Sequence, residues 1–135
     1  MIGIDTNVLV RYLVRDDEDQ FQIAAHLILG CIKIGEPIQI SLLVMLETEW
    51  VLRSKYSYQK TEIAMAFIKL METREAVYED EESLEEALHN WKESNIDFAD
   101  CLIVAKSRRA GCSHLMTFDS KASKLPGAKL LTPNH

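Results

Sequence analysis

An α/β fold on a short parallel sheet of about four to five strands is what this sequence predicts. Three observations carry that expectation. Short apolar runs recur along the chain, longer amphipathic segments separate them, and residues with helix-capping side chains stand at the junctions. Strands that alternate with helices in this way favour parallel pairing, with helices covering both faces of the sheet.

Residues 2–4 form the first apolar run, and Asp5-Thr6-Asn7 directly after it supplies the N-cap chemistry of a first helix. The acidic run Asp16-Asp17-Glu18-Asp19 suits the positive end of a second helix, whose apolar face is Phe21, Ala24, Ala25, Leu27, Ile28 and Cys31 and whose stop is near Gly35. Pro37 introduces a second strand over 38–40, and Ser41 caps a helix running from Leu42 to about Tyr56. A helix over 61–73 leads to a third strand over 76–78. Leu84, Leu88 and Trp91 stand at spacings of four and three, which predicts a helix over 80–94. The next helix spans 97–110 with Gly111 as its stop, and strands over 115–118 and 129–131 complete the series.

No internal repeat, low-complexity tract or Gly/Ser-rich linker interrupts the 135 residues, 47% of them apolar, so a single domain over residues 1–135 is expected. The N-terminus lacks a basic leader and no apolar run approaches the roughly 20 residues needed to span a bilayer, which predicts a cytoplasmic protein with no membrane partner. The three cysteines, Cys31, Cys101 and Cys112, are odd in number and show no zinc spacing, so reduced thiols are expected. A net charge of −6 opposes binding to long nucleic acid by counterion release, but a carboxylate cluster holding divalent ions reverses the local sign where a phosphate sits. Composition alone therefore leaves nucleic acid open as a substrate.

In a parallel α/β sheet the functional crevice lies at the carboxyl ends of the strands. Asp5 follows the first strand, Glu47 lies on the helix after the second, Asp97 and Asp100 open a late helix, and Asp119 follows Thr117-Phe118. Singly, Asp5, Asp97 and Asp119 read as caps or turn residues. Glu47 and Asp100 are harder to place, because apolar neighbours surround both in sequence and a buried carboxylate requires a compensating partner. Lys106, Arg108 or Arg109 in a structural ion pair is one such partner. A hard divalent cation is the other, and all-oxygen donors select magnesium or manganese over zinc or copper.

Four stretches then resemble the acidic motifs of PIN-domain ribonucleases: Ile4-Asp5-Thr6-Asn7-Val8-Leu9-Val10-Arg11-Tyr12-Leu13, Leu46-Glu47-Thr48-Glu49-Trp50-Val51-Leu52, Asp97-Phe98-Ala99-Asp100 and Thr117-Phe118-Asp119. Together with Lys124-Leu125-Pro126-Gly127 they cover nearly the whole chain in the family's order, and they look most like the VapC-type toxins of toxin–antitoxin pairs. The resemblance implies a three-layer α/β/α fold, Mg2+- or Mn2+-dependent endonuclease action on RNA that leaves a 5′-phosphate and a 3′-hydroxyl, a homodimer, and neutralisation by a cognate antitoxin. It places Asp5, Glu47, Asp100 and Asp119 as the acidic quartet, Asp97 as a further acid, Thr117 as a polar hydroxyl at the site, and Thr6 and Asn7 as the turn that braces Asp5. Glu49 has no counterpart and reads as a solvated or supporting acid.

Bound divalent ions neutralise an anionic phosphodiester and activate water, so no protein nucleophile is needed, and His26, His89, His114 and His135 form no cluster suited to that task. Two rivals share the strand-end acids. A magnesium-binding receiver domain carries paired acids after its first strand, whereas Thr6-Asn7 follows Asp5, and a haloacid-dehalogenase-type phosphatase needs a second Asp where Asn7 stands. The non-enzymatic alternative is a catalytically silent PIN-like module retained for protein binding, which a metal-dependent RNA-cleavage assay separates from a nuclease.

Overall fold

Capping chemistry sets the helix boundaries in the computed structural model, which describes residues 1–134; His135 lies outside the described residues. By their contacts the residues group into two compact units, one from Met1 to Glu79 and one from Asp80 onward.

In the first unit, strands β1 (Ile2–Gly3), β2 (Ile38–Ile40) and β3 (Ala76–Tyr78) form a parallel sheet in the order β1-β2-β3. Ile2 stands opposite Ile38, Ile38 opposite Ala76 and Ile40 opposite Tyr78. Helices α1 (Thr6–Leu13) and α2 (Glu18–Ile34) connect β1 to β2, and α3 (Leu42–Ser54) and α4 (Lys60–Met71) connect β2 to β3. Asp5 caps α1 by accepting from the Val8 N–H at 3.0 Å, Asp17 caps α2 through Gln20 at 3.1 Å, and Ser41 caps α3 through Val44 at 3.1 Å. Helix α2 ends on Gly35 at φ 73°, a left-handed cap that its missing Cβ permits. Leu9, Met45, Leu52, Ile63 and Phe67 are fully buried, and α1 packs on both α2 and α3.

In the second unit, β4 (Leu115–Thr117) and β5 (Ala128–Leu130) pair in parallel, Leu115 opposite Ala128 and Thr117 opposite Leu130. Helices α5 (Glu81–Lys92) and α6 (Phe98–Arg109) pack closely on each other, with Trp91 and Phe98 edge to face at 5.2 Å. A short 3-10 turn over Ala122–Lys124 precedes β5. Every strand pairing described is parallel, as the alternating pattern predicts, and hydrogen bonding divides the strands into a sheet of three in the first unit and one of two in the second. Cys31 and Cys101 are buried free thiols and Cys112 is an exposed one. No helix among the described residues is long and apolar enough to cross a membrane.

Candidate active site

The first unit contributes Asp5 and Glu47. Asp5 stands where β1 gives way to α1, and its Oδ1 holds the helix cap while Oδ2 stays outside that bond. Glu47 lies in the second turn of α3, where the Thr6 hydroxyl donates to its Oε1 at 3.0 Å. That bond corrects two expectations. Thr6 braces Glu47, not Asp5, because the first residue of α1 reaches across to the neighbouring helix; and Asn7 makes no hydrogen bond to Asp5 among the described residues, lining instead an apolar groove with Val8, Arg11, Ile23 and Leu27.

Glu47 is also exposed, contrary to the burial expected from its apolar neighbours in sequence. Helical geometry is the reason. Met45, Thr48, Glu49 and Leu52 share the buried face of α3 at spacings of three and four, and that face excludes residue 47. Glu49 is the buried carboxylate, 3% exposed, and it accepts from Arg53 Nε at 2.7 Å across one turn. It is neither solvated nor an evident part of the site.

The second unit gathers Asp97, Asp100 and Asp119 around a hollow of about 400 Å³ that Asn95, Ile96, Ser120 and Lys121 also line. Asp97 occupies the N-cap position of α6 but makes no side-chain capping bond, so the simple structural role open to it in sequence is not the one it has. Asp100, in the first turn, is partly buried; burial and then the charges of Asp119 and Asp97 push its carboxyl above the usual range. Asp119 follows β4, where its own N–H donates to Thr117 Oγ1 at 3.0 Å and its Oδ1 accepts from the Lys121 and Ala122 N–H groups at 2.8 and 3.0 Å. Thr117 therefore fixes the turn that carries Asp119.

The three cations proposed as structural partners for the acids are engaged elsewhere. Lys106 pairs with Asp80 at 2.9 Å, Arg108 with Glu86 at 3.2 Å, and Arg109 with Glu86 at 3.2 Å and Glu82 at 3.4 Å. Asp100 has no ion-pair partner among the described residues. Beyond burial, the charges that raise its carboxyl are those of Asp119 and Asp97, and carboxylate oxygens are the donors that a hard divalent cation takes. Among the described residues no three His, Cys, Asp or Glu side chains are placed so as to hold a metal ion together, so any fit lies in donor chemistry and charge alone. A slightly larger hollow of about 430 Å³ lies along α1 and α4, lined by Tyr12, Leu13, Met65 and Leu70; its carboxylate, Glu62, serves in the cap of α4.

Sequence reasoning missed Asn95, Ser120 and Lys121 as residues of the hollow. The available signal was Asp119-Ser120-Lys121 itself, since a side chain that turns the backbone within two residues places those residues beside it. It also missed Glu79, at the end of β3, whose Oε1 accepts from the Leu42 N–H at 2.7 Å and so adds to the start of α3.

A family model described as the PIN domain matches residues 2–128. Among solved structures, a toxin–antitoxin complex from Klebsiella pneumoniae is 19% identical, with 98% of this chain and 96% of that chain covered and a TM-score of 0.34. A Mycobacterium tuberculosis structure, the sarcin–ricin loop cleaving toxin VapC20, is 21% identical, with 91% and 93% covered and a TM-score of 0.35. No curated protein is similar enough to count as a match.

Proposed function

The chain belongs to the PIN-domain family, and from that premise we propose that it is a Mg2+- or Mn2+-dependent endoribonuclease, the toxin of a VapBC-type toxin–antitoxin pair. The observation that carries the proposal is the hollow lined by Asp97, Asp100 and Asp119, in which Asp100 faces like charge and no partner cation. Asp100 and Asp119 would hold the cation with Asp97 in support, and Asp5 and Glu47 would be required for the same reaction. When bound, such an ion supplies charge neutralisation at the phosphodiester and activates water for in-line attack. The chain's own residues do the rest. The Thr6 hydroxyl donates to Glu47, Thr117 and the turn at 119–122 hold Asp119, and a carboxylate would take the proton of the attacking water while the 3′-oxygen leaves and takes a proton from solvent.

The family match spans both compact units, which supports treating residues 1–135 as one nuclease domain. A cytoplasmic location, a homodimer and a basic antitoxin complete the proposal. An antitoxin that inserts Arg toward Asp97, Asp100 and Asp119 would exploit two-point carboxylate recognition, as an acidic hollow invites. The decisive experiment measures RNA cleavage with Mg2+, with excess chelator, and with the folded Asp5→Asn variant. Loss of cleavage in chelator, recovery with Mg2+ or Mn2+, and a loss of orders of magnitude in the variant are expected. Undiminished cleavage in excess chelator sinks the proposal.

A further inference from the structure

Lys121 lines the acidic hollow, yet its ammonium makes no ion pair among the described residues. The backbone of Lys121 is fixed there, because its N–H donates to Asp119 Oδ1 at 2.8 Å. The side chain is exposed. By contrast, the cations of α6 are all committed, Lys106 to Asp80, Arg108 to Glu86 and Arg109 to Glu82 and Glu86. An exposed lysine gains little from an ion pair with Asp97, Asp100 or Asp119, so its ammonium stays available to a ligand in the hollow. Its flexible stem and strongly hydrated head suit a different task, the capture of a phosphate oxygen as a point charge.

The electrostatics of the hollow call for such a group. Three carboxylates against one ammonium give a surface that repels a phosphodiester, and a divalent ion at the acids offsets only the linkage that touches it. A strand also presents neighbouring phosphates, and a protein cation that contacts one gains affinity by releasing its counterions.

Resting on the ribonuclease proposal, we infer that Lys121 is a substrate-binding residue whose ammonium holds a non-bridging phosphate oxygen of the RNA strand beside the linkage being cut. The test compares wild type with Lys121→Gln and Lys121→Arg on a fluorescent oligoribonucleotide that the wild type cleaves, over a range of monovalent salt and of Mg2+. Lys121→Gln is expected to raise KM about five- to tenfold and to reduce the slope of log KM against log salt by about 0.7, the signature of one lost phosphate contact on a single strand. The kcat, the Mg2+ midpoint and the melting temperature should stay at wild-type values, and Lys121→Arg should restore KM. An unmoved KM and salt slope in Lys121→Gln, with wild type cleaving normally, overturns the Lys121 assignment and leaves the nuclease proposal standing. A shifted Mg2+ midpoint with unmoved KM overturns it too, by showing that Lys121 acts on the carboxylates and not on RNA. If folded wild type with Mg2+ cuts no RNA, both fall.

Discussion

At the scale of single residues, the sharpest contrast is between two aspartates three apart on one helix. Asp100 is partly buried and its carboxyl is raised by burial and by Asp119 and Asp97, so ionising it in the folded protein works against neighbouring charge. A folded-state value above the unfolded one means that the native chain binds the extra proton, and stability falls as pH rises through that interval. Asp100→Asn should therefore abolish metal-dependent cleavage while raising the metal-free melting temperature at neutral pH. Cleavage by wild type should fall on acidification from a pH above the ordinary carboxylate range, and Mg2+ binding in that range should release protons, which a pH-stat records. Asp97 makes no capping bond, so Asp97→Asn should leave the melting temperature unchanged and keep measurable cleavage with a raised Mg2+ requirement. The opposite ranking of the two variants at saturating Mg2+ would show that the main ligand has been assigned to the wrong acid. The partial burial of Asp100 was legible because a carboxylate early in an apolar helix invites a question; Glu47 posed the same question and turned out exposed, since sequence neighbours on a helix point in different directions.

At the scale of elements, caps made the boundaries readable. Asp5, Asp17, Ser41 and Asp80 each accept from a backbone N–H three residues on, a signal that is local and so survives in sequence. What did not survive is which acid on α3 is buried, because Met45, Thr48, Glu49 and Leu52 become one face only once α3 has something to pack against. The division of the strands into sheets of three and two was equally hidden, since apolar runs at 38–40 and 115–117 look alike and pairing is decided by the connections between them. The cap of α5 offers the clearest test at this scale. Asp80 accepts from Ser83 N–H at 3.0 Å, from Ser83 Oγ at 2.6 Å and from Lys106 at 2.9 Å, and these bonds, the Ser83 hydroxyl first, pull its carboxyl down to about 2. With a depressed folded-state value, its contribution is present above the unfolded carboxylate range and is lost as pH falls toward about 2. Asp80→Ala should cost about 1–2 kcal/mol at neutral pH by loss of the cap. Asp80→Asn, which keeps an acceptor, should cost less, and thermal melts of both variants at neutral and acidic pH should converge with wild type as the medium becomes acidic.

At the scale of the whole molecule, surface chemistry rather than the acidic cluster points to self-association. The net charge of −6 gives no general affinity for RNA, so the proposed activity depends on specific contacts with the strand. On α2, Ile23 is 72% exposed, Leu27 41% and Ile34 78%, at spacings of four and seven that align them along one side of the helix. Beside them, Val8 and Arg11 of α1 complete a groove of about 280 Å³ with Ile23, Ala24 and Leu27. A contiguous apolar stripe of this kind is unfavourable in water and usually marks an interface. A second copy of the same helix offers a matching stripe, since a two-fold axis brings one patch against itself. The expected result is a dimeric mass for wild type at micromolar concentration in sedimentation equilibrium, and a monomeric mass for Ile23→Asp. Because Ile23 contributes so little to the interior, the variant's intrinsic fold should persist, readable as unchanged far-UV circular dichroism, while its melting temperature loses the concentration dependence that coupled association confers. A monomeric wild type under those conditions refutes the dimer. A dimer that survives Ile23→Asp places the interface elsewhere.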